Sequence, residues 1–130
     1  MIALDTNFLV RLIAGDDRAQ ERAVLRLLAA PSEKFFIGDV TLAELVWVLE
    51  EVYTFKRDEL VCALEALLNR ADVVFEDPIR VRHASRHLAA GGDFADALIV
   101  GRAQGEACSA LASFDKDLKK RFPDFVVVPS

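Results

Sequence analysis

Apolar residues fall along this chain in two rhythms. Short unbroken runs occupy residues 2–4, 35–37, 73–75, 108–112 and 126–128, too short for helices and apolar enough for buried strands. Between them, apolar positions recur three and four apart, the spacing of helices that turn one face inward. The first predicted helix covers residues 8–14 and is closed by Gly15. The second starts at Asp16 or Asp17 and reaches about residue 30, with Ala23, Val24, Leu27 and Leu28 inward and Pro31 and Ser32 as breakers. Further helices are predicted from Thr41 through Tyr53, from Asp58 and Glu59 to near Arg70, from Asp77-Pro78 to about Ala90, and onward from Asp93 after Gly91-Gly92. Strands alternating with helices predict an α/β fold: a short central parallel sheet of four or five strands, helices on both faces, three layers in all. Residues 1–130 form a single domain in this reading.

The helix opened by Thr41 is apolar around more than one face, through Leu42, Leu45, Val46, Trp47, Val48, Leu49, Val52 and Tyr53. A second buried face follows, most simply a contact between two copies of the chain through the Trp47 helix. With 53% hydrophobic residues and only 6 Gly and 4 Pro, the composition excludes a disordered or fibrous protein. No run is long enough to cross a bilayer, and no basic leader opens the chain, so a cytoplasmic protein is expected. Cys62 and Cys108 lie in apolar stretches without CxxC spacing and read as reduced, buried small hydrophobes.

The chemistry sits in the carboxylates. Asp5 follows the first strand at once, where ligands gather in open α/β sheets. Thr6 adds a hydroxyl, and Asn7 can accept from the free N–H groups of the first helix; Asp5 itself can serve as that helix's cap. Thr41-Leu-Ala-Glu44 reads both as a capping box and as a carboxylate placed on a first helical turn. Asp93 fits an N-cap and Asp96 the third helical position. Two acids in one turn exceed what capping needs, and at about 4 Å such a pair costs ~1 kcal/mol in water and ~4 kcal/mol at an effective dielectric of about 20. Asp115 again follows an apolar strand, with Asp117 two residues on. If these elements share an edge, Asp5, Glu44, Asp93, Asp96 and Asp115 point into one notch. Oxygen ligands without Cys or His select Mg²⁺ or Mn²⁺, and such a cluster suits phosphodiester hydrolysis.

The net charge of −5 argues at first against a nucleic-acid partner, but setting those five acids aside leaves the rest of the chain neutral. Bound cations would make the notch attractive to phosphate. Lys116, Lys119 and Arg102 are the candidate contacts to nucleic acid, within or near the basic cluster that also holds Lys120 and Arg121. Arg18, Arg22 and Arg26 share a helix face that reads as a solvated stripe. His83 and His87 stand four apart, but HASRH lacks the glutamate of HExxH and a third ligand, so they read as exposed helix residues.

The segments IALDTNFLVRL, VTLAELVWVL, DFADALIV and ASFDKDL, in this order from Ile2 to Leu118, resemble the four acidic motifs of PIN domains, in particular the VapC-type toxins of bacterial toxin–antitoxin pairs. By this likeness Asp5, Glu44, Asp96 and Asp115 match the four metal ligands, and Asp93 is a further metal contact. Asp117 competes with Asp115 for the fourth role, while Thr6 and Ser113 match small polar positions that support the acids. The resemblance implies a PIN-like fold and an endoribonuclease using Mg²⁺ or Mn²⁺ to cut structured RNA such as transfer or ribosomal RNA, which stops translation. It also implies a homodimer and a VapB-like antitoxin that neutralises the toxin.

Other classes of function remain open at this point. A haloacid-dehalogenase-like phosphatase needs a second carboxylate two residues after Asp5, where this chain has Asn7. A phosphoacceptor receiver domain needs an acidic pair in its first loop, which DTN does not supply. The third alternative is a PIN fold that binds RNA or a partner without cutting it.

Overall fold

Aspartate opens five of the seven helices. A computed structural model, covering residues 1–130, places Asp5, Asp17, Asp77, Asp93 and Asp115 at helix N-caps, each accepting hydrogen bonds from backbone N–H groups of the turn it begins. The elements run β1 (Ile2–Ala3), α1 (Thr6–Ala14), α2 (Arg18–Leu28), β2 (Phe35–Ile37), α3 (Asp39–Glu51), α4 (Arg57–Leu68), β3 (Val73–Phe75), α5 (Pro78–Ala89), α6 (Phe94–Gly105), β4 (Leu111–Ala112), α7 (Lys116–Arg121) and β5 (Val126–Val127). Gly15 ends α1 at φ 62°, a left-handed conformation that glycine takes without penalty.

The fold is α/β with parallel strands, as the alternation of elements predicts, but the central sheet has three strands and not four or five. β1, β2 and β3 lie side by side in that order, with Ile2 opposite Phe35 and Phe36 opposite Val74. β4 and β5 form a separate parallel pair, Leu111 opposite Val126. The split follows from strand length. Ile2 and Leu4 donate to Lys34 and Phe36 of the β2 side, whereas Leu111 and Ser113 donate to Phe125 and Val127 of the β5 side. Only β2 is paired along both edges, and no ladder joins the two sheets.

Nineteen buried residues make the main core, among them Leu9, Phe35, Ile37, Leu42, Leu64 and Phe94, with a small satellite of Val100, Leu118 and Val126 under α7 and β5. Helix α5 packs on α4 and α6, while α3 packs on α1 and α6. In α3 the buried set is Leu42, Leu45, Val46 and Leu49, one helical stripe. Trp47 is 62% exposed, and Val40 and Val52 at the two ends of the helix are exposed as well. No helix is long and apolar enough to cross a membrane.

Four local expectations are corrected here. Helix α3 begins at Asp39 with Gly38 as its cap, so Thr41 lies inside the helix and no Thr41–Glu44 capping box forms. The Asp39 N–H is taken instead by Glu76 Oε1, from the end of β3. Asn7 lies within α1, and Asp5 is the cap. Residues 108–110 are not strand: α6 ends in a turn with Ala107 at φ 59°, and the Cys108 N–H donates to Ala103 O. Both cysteines are exposed, because Leu60, Leu64 and Leu67 define the inner face of α4 and leave Cys62 outside, while Cys108 sits in that turn.

One buried charge network joins α3 to α5. The Arg80 side chain, 8% exposed, donates from Nε to Asp39 Oδ2 at 2.8 Å and from Nη1 to Asp77 Oδ2 at 3.2 Å. Gly101 of α6 faces its stem so closely that a Cβ would stand 2.9 Å from Arg80 Cγ. Removing one partner from a buried pair strands the other. Arg80→Ala is therefore expected to lower the free energy of unfolding by about 3–5 kcal/mol, measured by urea titration, and Asp39→Asn in the same chain to restore part of that loss.

Candidate active site

Leu4 is buried and the next residue is not, so the chain leaves the sheet edge at Asp5 with its carboxylate in solvent. Asp5 Oδ1 accepts from the Phe8 N–H at 2.9 Å, which fixes the side chain and leaves Oδ2 without a protein donor. One residue on, Thr6 Oγ1 donates to Glu44 Oε2 at 3.0 Å. That bond ties the end of β1 to α3 across 38 positions of sequence. Glu44 is exposed and makes no ion pair.

The other acids meet where α6 and α7 begin. Asp93 Oδ2 accepts from the Asp96 N–H at 2.9 Å. Asp115 Oδ1 accepts from the N–H groups of Asp117 and Leu118 at 2.9 and 3.1 Å, and the Asp115 N–H donates to Ser113 Oγ at 3.0 Å. Asp117 is spent differently: its Oδ2 pairs with Arg121 Nε at 2.8 Å. Burial of the half-exposed Asp96 pushes its carboxyl above the usual aspartate range, and the charges of Asp93, Asp115 and Asp117 push it further in the same direction.

The structure bonds Thr6 to Glu44, Asp93 to the Asp96 backbone and, through Arg121, Asp117 to the Gly91 carbonyl, while no bond joins Asp5 or Glu44 to the acids of α6 and α7. No three His, Cys, Asp or Glu side chains stand in an arrangement ready to hold a metal ion. The donor chemistry nonetheless suits a hard divalent cation. The candidate ligands are all carboxylates, the capping acids keep one oxygen free, and Asp96 sits in uncompensated negative charge that a cation would relieve.

The candidate nucleic-acid contacts are placed unequally. Lys116 is exposed and makes no ion pair. Lys119 Nζ donates to Pro123 O and Val126 O, and Arg102 bridges Glu76 and Glu106. His83 is exposed as expected, but His87 is not: its ring lies 4.9 Å from that of Phe122, its Nε2 is buried, and burial followed by the Arg121 charge holds its pKa below the usual histidine range. The i, i+4 spacing could not show this, because the covering ring arrives from beyond α7. Nor did spacing point to Arg57 and Arg121, whose partners are backbone carbonyls of another segment. The largest hollows lie elsewhere, an apolar groove of about 650 Å³ between α1 and α4 and another of about 510 Å³ between α3 and α6.

Comparison with known proteins adds independent findings. The family model for the PIN domain matches residues 2–121. The VapC ribonuclease of Aquifex aeolicus (strain VF5) is 27% identical over 125 residues, covering 92% of this chain and 91% of that protein. No solved structure matches.

The raised carboxyl of Asp96 has a thermodynamic consequence. The folded state holds its proton more tightly than the unfolded chain does, so this group favours folding at low pH. That contribution is complete below the unfolded aspartate pKa and is lost as pH rises through the raised folded value. In chelator, Asp96→Asn is expected to unfold at higher urea than the parent at pH 7, with the gap closing toward pH 3. Urea midpoints measured across that range check it, and a gap independent of pH would contradict it.

Proposed function

Because this chain belongs to the PIN domain family, we propose that it is a metal-dependent endoribonuclease of the VapC kind. Its reaction is hydrolysis of phosphodiester bonds in structured RNA, transfer or ribosomal, which inhibits translation in the cytoplasm until a VapB-like antitoxin neutralises it. Asp5, Glu44, Asp96 and Asp115 hold Mg²⁺ or Mn²⁺, with Asp93 beside Asp96. When bound, the ion supplies charge to offset the phosphate and acidity to a water. Thr6 fixes Glu44 through its hydroxyl, and Ser113 fixes the backbone of Asp115. The cap bonds aim Asp5, Asp93 and Asp115 so that one oxygen of each stays available. Asp115 takes the fourth ligand role, since Asp117 is neutralised by Arg121. Two copies associate through the exposed Trp47 side of α3, the helix at whose two ends Val40 and Val52 are also exposed.

The observation that carries this reading is the link between the turn ahead of α6 and helix α7: Arg121 bonds to both Gly91 O and Asp117, so acids from two motifs, separated by a strand, stand on segments joined by one side chain. The VapC ribonuclease named above supports the same class of reaction. A second reading, a PIN fold that binds RNA or a partner without cutting, is favoured by the lack of three acids in ligating arrangement.

One experiment separates the two. Wild type, Asp5→Asn and Asp96→Asn are expressed in bacteria, RNA ends are sequenced, and cleavage is repeated in vitro with Mg²⁺, Mn²⁺ or chelator. Arrest of growth and new RNA ends are expected from wild type alone, with cleavage in either variant down by at least about a hundredfold, the scale of losing a charge-stabilising group. Equal growth arrest from all three proteins, or RNA retained without new ends, would count for the binding module.

A further inference from the structure

The turn that carries Asp93 is gripped from two sides by arginines. Arg121, the last residue of α7, donates from Nη2 to Gly91 O at 2.9 Å and from Nε to Asp117 Oδ2 at 2.8 Å. Arg57, the first residue of α4, donates from Nη1 to Leu88 O at 2.7 Å and to Gly92 O at 2.8 Å. Gly91 stands at φ 105°, a conformation that a side chain would strain. A Cβ on Gly92 would meet His87 Nε2 at 2.0 Å, and His87 is itself backed by Phe122, the residue after Arg121. The backbone just ahead of Asp93 is therefore fixed by groups that belong to α4, α5 and the end of α7.

The turn so held and helix α7 both carry acids, Asp93 and Asp96 on one side and Asp115 and Asp117 on the other. Arg121 is the one side chain that bonds to both sides, the Gly91 carbonyl ahead of α6 and the Asp117 carboxylate on α7. Its planar fork suits two simultaneous bonds in fixed directions, which an ammonium cannot copy.

We propose that Arg121 is a positioning residue of the acidic site, tying the Asp93–Asp96 turn to the helix capped by Asp115 so that the backbone segments carrying these carboxylates keep a fixed relation before a cation arrives. The proposal rests on the metal-dependent reading given above. It gives Asp117 a role as the anchor of Arg121 and leaves Asp115 as the acid of that helix free to ligate. Outer groups that orient ligands in this way change metal affinity without touching the metal.

The test uses the full chain as Arg121→Gln and Arg121→Lys, with Asp117→Asn cutting the same tie from its other end should the glutamine variant fail to fold. Hydrogen exchange in chelator reads the turn, and calorimetric titration with Mn²⁺ reads the site. In Arg121→Gln the amides of residues 91–97 are expected to exchange faster while those of α3 are unchanged, and the Mn²⁺ dissociation constant to rise about 10–100-fold. Arg121→Lys is expected to recover part of both, and Asp117→Asn to move both in the direction of the glutamine variant. Unchanged exchange over residues 91–97 overturns the tie, and faster exchange with unchanged Mn²⁺ affinity reduces Arg121 to a structural strut. A wild-type chain that takes up no Mn²⁺ overturns the metal reading instead, and the exchange result alone then decides the tie.

Discussion

A carboxylate that caps a helix has two oxygens and needs only one for the cap. The site proposed for this protein depends on that surplus. Asp5, Asp93 and Asp115 each give one oxygen to the free N–H groups of α1, α6 and α7, whose partial positive charge favours an anion there. The cap bond orients the side chain by local geometry alone, without a second protein partner that would have to be displaced before a ligand could bind. Helix starts that follow strands or short turns thus do two jobs with one residue, and the fold needs no dedicated loops to present its acids.

The rest of the charge is arranged around that choice. Where acids serve only to hold the fold together, a cation stands against them: Arg80 between Asp39 and Asp77, Arg70 against Asp72, and Arg11 against Asp16 with the Tyr53 hydroxyl. Where acids face the candidate site, cations are withheld. Arg121 neutralises Asp117 and goes no further, Lys119 turns to backbone carbonyls, and Arg102 is taken up by Glu76 and Glu106. Asp5, Glu44, Asp93, Asp96 and Asp115 are accordingly among the carboxylates that make no ion pair.

How much of this can be read in the sequence depends on how local the cause is. Phe35, Ile37 and Phe75 sit in short apolar runs and are buried, although the same kind of run leaves Ile2, Ala3 and Val74 exposed; the Asp77-Pro78 start is a signal complete within two residues. The Thr41–Glu44 pattern looks equally local and misleads, because the start of α3 is decided by Glu76 from another element. Once α3 begins at Asp39, Glu44 is released from capping and is free to meet Thr6. The apolar residues 108–112 mislead for the opposite reason: hydropathy cannot see that Ala107 turns left-handed and that only Leu111 and Ala112 reach a partner strand. Among the candidate acids, Asp5 and Asp115 are legible as strand ends and Asp96 as a first-turn residue, whereas Glu44, expected on a first turn, lies in the second turn of α3 because that helix starts at Asp39. Arg57, Arg121 and the covering of His87 by Phe122 are not legible, because each joins segments about 30 or more residues apart through carbonyls or ring faces that leave no periodic mark.

Unpaired acids held close together make folding and ion binding one problem. The neighbouring ionised carboxylates disfavour ionisation of Asp96 in the folded chain, and in the proposed metal-dependent reading a cation bound to the folded state would offset that cost by mass action. The protein can carry the cost because its rigid parts are elsewhere: α5 packs along both α4 and α6 and supplies the buried Val81, Ala84 and Leu88. That packing fixes the axis of α6 while leaving its first turn to the tie with α7. In the proposed metal-dependent reading, the exposed side chains of Asp5 and Glu44 are the ones free to change rotamer when an ion binds, while the helices that carry them stay packed.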